Sequence, residues 1–172
     1  EREADQIRRQ VVAAWLAAHP QAAQAYLRTD LEGARWERVL RDDWPALAQE
    51  VAAAFIKRAK DYRYPPERIL KTLERASADY PLARLGAEVY QEYQKSLAHR
   101  AALDFDDLIR LALDALHADA DYLARLQAQW PFILEDEAQD SSKLQEDILR
   151  LLAGPAGNWV RVGDPNQAIY ET

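Results

Sequence analysis

Apolar residues recur every three or four positions from Glu1 to about Trp130, in a background rich in Ala, Leu, Arg, Glu and Gln with few glycines. That is the period of helices that each bury one face. The pattern predicts helices over about residues 3–19, 21–28, 46–61, 66–77, 82–102, 105–117 and 119–129. Pro20, Pro45, the Pro65 and Pro66 pair and Pro81 punctuate them, each where a fixed φ and a missing N–H suit a helix start or stop. The stretch TDLE, Thr29 to Glu32, has capping-box spacing and predicts one more short helix. There is no internal repeat and no low-complexity tract.

After Trp130 the period changes. FIL reads as a short buried strand, and SSKLQEDILRLLAG as an amphipathic helix with a capping box from Ser142 to Gln145 and Gly154 near its stop. WVRVGD reads as a second strand. Strand, helix and strand over some thirty residues form a βαβ unit, which implies parallel pairing and a right-handed crossover. The expected fold class is therefore mostly α with a short parallel βαβ unit. Open α/β sheets bind ligands at the carboxyl ends of their strands. Asp136 and Glu137, after the first strand, and Gly163 and Asp164, after the second, would then share one edge.

Composition bounds the chemistry. With 49% hydrophobic and 30% charged residues the chain has the make-up of a soluble globular protein. Its longest apolar run, Val11 to Ala18, is too short to span a bilayer, and no signal pattern opens the chain. The expectation is a soluble, cytoplasmic protein without a membrane partner. No cysteine is present, which excludes disulfides and thiolate metal sites. The net charge of -7 argues against coating nucleic acid by bulk electrostatics. One window departs from it: residues 57–75 hold seven basic residues, including Lys57, Arg58, Lys60 and Arg63, against three acidic ones, with Tyr62 and Tyr64 interleaved. Basic groups neutralise phosphates and aromatics stack on bases, so this window is a candidate DNA contact; a solvated helix face laced with ion pairs is the alternative. His19, His99 and His117 have no acids spaced as metal partners and read as surface or capping residues.

The stretch PFILEDEAQDSS, Pro131 to Ser142, carries the strongest chemical signal, because it ends a strand on four acids. Carboxylates so crowded repel one another unless a cation joins them. A carboxylate at the tip of a buried strand is a common way to hold Mg2+ opposite nucleotide phosphates, and an adjacent Glu can orient or deprotonate water. Asp136 fits the first role and Glu137 the second. Gln139 and Gln167 are neutral amides able to hydrogen-bond a terminal phosphate. A solvated turn with helix-capping acids is the plain alternative.

These residues also resemble a known family. ILEDEAQDSS looks like motif II, the Walker B segment, of superfamily 1 helicases of the UvrD/Rep type, and VGDPNQAIY looks like their motif III. DFDDLI, Asp104 to Ile109, resembles a segment that precedes motif II, Gln145 falls where the family often has Gln, and FIKRAKDYRYPPERI and VYQEYQKSL are similar to its accessory-region patterns. The resemblance covers roughly residues 50–172. It implies a helical accessory subdomain over 1–103 and part of a RecA-like, P-loop NTPase motor domain over 104–172. By the same resemblance Asp136 is the Mg2+-associated acid and Glu137 the catalytic base. Gln139, Gln167 and Asp164 are nucleotide-binding, with Gln167 near the γ-phosphate, and Tyr170 lies beside single-stranded DNA; a tyrosine packed at a strand end is the alternative for it.

Two features depart from the family pattern. Glu135 stands where an apolar residue is common, and a carboxylate within a strand is exposed, paired or protonated. Pro165 and Asn166 replace acids often found in motif III. In DFDDLI, Asp104 is expected to cap a helix, Phe105 and Leu108 to pack inward, and the other acids to be solvated. No GxxxxGK(S/T) occurs, and the five glycines cannot make one, so the triphosphate has no cradle within this sequence. The chain has no Met and is expected to be an internal piece of an ATP-dependent 3'-5' DNA helicase, inactive alone, whose parent uses ATP and Mg2+ and acts on single strands and duplex junctions. A helicase-nuclease is a close variant. A noncatalytic helical interaction module with a degenerate acidic box is the rival.

Overall fold

The computed structural model describes residues 2–26, 33–155 and 157–164. The TDLE capping box and the motif III residues Gln167 and Tyr170 lie outside the described residues. Two compact units divide the chain, Glu1–Phe105 and Asp106–Thr172.

The first unit is helical: α1 (Arg2–Ala18), α2 (Gly33–Arg38), α3 (Trp44–Asp61), α4 (Pro66–Arg75) and α5 (Pro81–His99). Its core follows from stripes spaced by four. Trp44, Ala48, Ala52 and Ile56 on α3 and Leu85, Val89, Tyr93 and Leu97 on α5 are buried together with Ile7 and Val12 of α1. Gly86 permits the close approach of α5 to α3, since a β-carbon there would overlap the Phe55 ring. Of the expected helix over 21–28, the described residues 21–26 hold a 3-10 turn, Ala22–Ala25, instead of an α-helix.

Pro45 does not interrupt the path into α3. A π-helical turn, Val39–Asp43, joins α2 to α3, with the Trp44 N–H reaching back to the Val39 carbonyl. The widened turn accommodates the proline ring, which lacks an N–H to donate and would clash with the carbonyl four residues back in a regular helix. Both α3 and α5 end in Schellman motifs built without glycine. Arg63 and Ala101 take left-handed φ values of 57° and 50°. Tyr64 N–H bonds the Ala59 carbonyl at 2.8 Å and Ala102 N–H bonds the Leu97 carbonyl at 3.0 Å.

The second unit holds α6 (Phe105–Ala118), α7 (Ala120–Gln129), β1 (Ile133–Glu135), α8 (Lys143–Ala153) and β2 (Trp159–Arg161). The strands pair in parallel, with Ile133, Leu134 and Glu135 opposite Trp159, Val160 and Arg161, as the βαβ reading predicts. Ser142 and Gln145 form the expected capping box at the start of α8, and Gly154 follows its end. Side chains alternate across the sheet. Glu135 is buried, whereas Leu134, at 80% exposure, lies with Phe132, Val160 and Val162 on an uncovered apolar face.

In DFDDLI the expected packing is reversed. Phe105 and Leu108 are exposed, at 62% and 53%, while Asp107 is 3% exposed. The buried leucines of α6 are Leu113 and Leu116, and Leu108 falls well off their stripe at about 100° per residue. Among the described residues no helix is long and apolar enough to cross a membrane.

Candidate nucleotide site at the strand ends

The strand tips meet through backbone and one amide side chain. Beyond Glu135 the ladder continues, with Val162 N–H donating to the Glu135 carbonyl at 2.8 Å and Ala138 N–H to the Val162 carbonyl at 2.9 Å. Between these bonds the chain turns sharply. Glu137 adopts φ 52° and ψ 42°, a left-handed conformation that is rare for a non-glycine residue, and a 3-10 turn, Ala138–Asp140, follows. Asp136 is exposed at the tip, its Oδ1 accepting the Glu137 N–H at 3.0 Å.

Gln139 joins the two strand ends. Its Nε2 donates to Glu137 Oε2 at 2.6 Å, and its Oε1 accepts the Asp164 N–H at 3.0 Å. A β-carbon at Gly163 would overlap Gln139 Oε1 and crowd the Ala138 nitrogen at 3.0 Å, so glycine leaves the Gln139 amide room to sit against the second strand end. The structure thus brings together Asp136, Glu137, Gln139 and Asp164.

Behind the tips lies a polar network around Glu135. Its carboxylate accepts from Ser141 Oγ at 2.5 Å and Trp159 Nε1 at 3.0 Å, and pairs with Arg161 Nε at 2.7 Å. Of the three fates open to a carboxylate within a strand, this one is paired. The sequence signal for the partner was Arg161, which falls on the same face once β1 and β2 are aligned.

Among the described residues no group of three His, Asp or Glu side chains could hold a metal ion by itself. Mg2+ commonly takes one or two protein carboxylates and fills the remaining positions with water and phosphate oxygens. Asp136, exposed on a hydrogen-bonded turn, fits as such a single hard donor.

The basic window places its groups unevenly. Lys57, Arg58 and Arg63 are exposed, as are Tyr62 and Tyr64. Arg58 lies over the Tyr62 ring at 5.3 Å and Arg68 over Tyr64 at 4.9 Å. Lys60 corrects the sequence reading: it is 1% exposed, its ammonium held at 2.5 Å by Asp104, which also accepts the Tyr93 hydroxyl at 2.8 Å. It has no surface from which to meet a phosphate. Lys60 continues the four-residue series Trp44, Ala48, Ala52 and Ile56, the signal that marks it as inward-facing. Asp104 serves as its counter-ion.

Residues 3–171 match the UvrD/REP helicase N-terminal domain family. Among curated relatives, the chain is 42% identical over 94 residues to the ATP-dependent DNA helicase PcrA of Leuconostoc citreum, covering 55% of this chain and 13% of that protein. It is 36% identical over 97 residues to the ATP-dependent DNA helicase PcrA of Staphylococcus aureus strain Mu50, covering 56% and 13% respectively. The chain therefore spans only about an eighth of the length of these relatives.

Proposed function

The chain belongs to the UvrD/REP helicase N-terminal domain family, and on that premise we propose that it is part of an ATP-dependent DNA helicase that translocates 3' to 5'. In this reading residues 1–103 are the helical accessory subdomain and 104–172 part of the RecA-like motor domain, bounds within two residues of the compact units Glu1–Phe105 and Asp106–Thr172. The observation that carries the proposal is the Gln139 side chain, which ties Glu137 of the acidic turn to the Asp164 backbone after the second strand. One edge of the sheet thereby gathers a hard anionic ligand, a base and an amide, the groups that nucleotide hydrolysis needs.

Mg2+ bound with ATP would neutralise charge developing on the phosphates. Asp136 would hold it, directly or through water. Glu137 would accept a proton from the attacking water, and the Gln139 hydrogen bond keeps its carboxylate oriented. A phosphate oxygen accepting from Gln139 Nε2 would displace Glu137 from the amide whose Oε1 holds the Asp164 N–H, so that nucleotide occupancy breaks the bridge between the two strand ends at its Glu137 side. Gln167 near the γ-phosphate and Tyr170 beside a DNA base complete the reading by family resemblance.

The uncovered face formed by Phe132, Leu134, Val160 and Val162 supports a larger motor, because a parallel sheet buries both of its faces. A phosphate-binding loop is supplied elsewhere in the full-length protein, so the 172-residue chain alone turns over no ATP. DNA would meet Lys57, Arg58 and Arg63, with Lys60 supporting the fold behind them. In the full-length protein, Mg2+-dependent ATP hydrolysis should fall by about 100-fold or more on Glu137→Gln, the loss expected for a general base. Unchanged turnover in that variant would favour the noncatalytic alternative.

A further inference from the structure

Glu135 and Arg161 are opposed in the sheet register, and between them they bond the Ala138 carbonyl within the acidic turn and Ser141 after it. Glu135, 9% exposed, accepts from Ser141, which follows the 3-10 turn, and from Trp159 of β2. The Arg161 guanidinium lies over the Trp159 ring at 4.8 Å, comes within 3.6 Å of Glu146 on α8, and directs an N–H at the Ala138 carbonyl at 3.4 Å. One ion pair therefore touches the second strand, the helix, and both the start and the end of the turn that carries Asp136 and Glu137.

With Glu135 buried and the Arg161 side chain 35% exposed, the pair is a poor source of net stability, because the desolvation of Glu135 offsets an attraction that solvent screens on the Arg161 side. What an apolar pair cannot supply is directed hydrogen bonding to a turn held in a left-handed conformation. We propose that Glu135 and Arg161 are positioning residues, a cross-strand pair that fixes the acidic turn so that Asp136 and Glu137 stay in register with Asp164. Their nucleotide role rests on the function proposed above; their hold on the turn does not.

The test compares full-length wild type with the double variant Glu135→Leu/Arg161→Leu, with Asp136→Asn as a control. Three readouts are needed: thermal unfolding, hydrogen exchange of the Ala138 and Asp164 amides, and Mn2+ affinity measured by electron paramagnetic resonance with a non-hydrolysable ATP analogue. The double variant should melt within about 3 °C of wild type. Its two amides should exchange at least about tenfold faster, and its Mn2+ affinity should fall about 10- to 100-fold, the range for lost partners of a metal ligand. Unchanged exchange together with unchanged Mn2+ affinity would overturn the proposal. If the double variant does not fold, Arg161→Lys, which keeps the charge and loses the planar fork, should show the same faster exchange, and failure to do so is equally fatal. Faster exchange in a protein whose wild type binds Mn2+ no better than Asp136→Asn would remove the nucleotide reading and leave the ion pair's hold on the turn standing.

Discussion

Lys60 and Glu135 are charged residues in positions where the helix and strand patterns call for apolar ones, and each is met by a counter-ion distant in sequence. Asp104 meets Lys60 and Arg161 meets Glu135. Removing the partner of a buried charge is costlier than removing both, because the buried charge is then left unpaired. Lys60→Met should therefore destabilise the helical unit by about 2–4 kcal/mol, with the Tyr93 hydroxyl still serving Asp104. The exposed Lys57→Met should cost less than about 0.5 kcal/mol. Urea unfolding followed by tryptophan fluorescence distinguishes them; equal effects would mean that Lys60 is not buried in solution.

Among the elements, the α3–α4 connection combines strain with charge. Arg63 occupies the left-handed position of a Schellman motif that glycine fills at lower steric cost. If its side chain is retained for DNA, Arg63→Gly should be neutral to stabilising by up to about 1 kcal/mol. It should also weaken DNA binding by the full-length protein and lower the salt dependence by about one phosphate contact, as should Lys57→Glu. Unchanged affinity and salt slope in both variants would remove the patch from the DNA interface. The same motif shows why helix ends were hard to read. The α3 and α5 stops rest on Arg63 and Ala101, neither of which signals a turn, and the π-turn before Pro45 lets a helix pass a residue that normally opens one. By contrast, the Ser142 and Gln145 capping box was legible because local chemistry determines it, and the strands were legible as short apolar runs, although FIL, read as buried, leaves Phe132 and Leu134 exposed. Phe105 and Leu108 misled because an apolar residue on a helix need not be buried.

Across the whole molecule, the sequence motifs located the acidic edge, and the structure added the links that no spacing reveals. Gln139 bonds to both strand ends, Gly163 leaves room for it, and the Glu135–Arg161 pair lies behind the turn. The central claim is that these strand ends form one nucleotide site in the full-length protein. The most direct measurement is a crystal structure of the full-length protein with Mg2+ and a non-hydrolysable ATP analogue. The account predicts the metal within one water of Asp136 and the γ-phosphate facing Glu137, with Gln139 between them and Asp164. A nucleotide bound away from this edge, with Asp136 and Glu137 left in solvent, would contradict it.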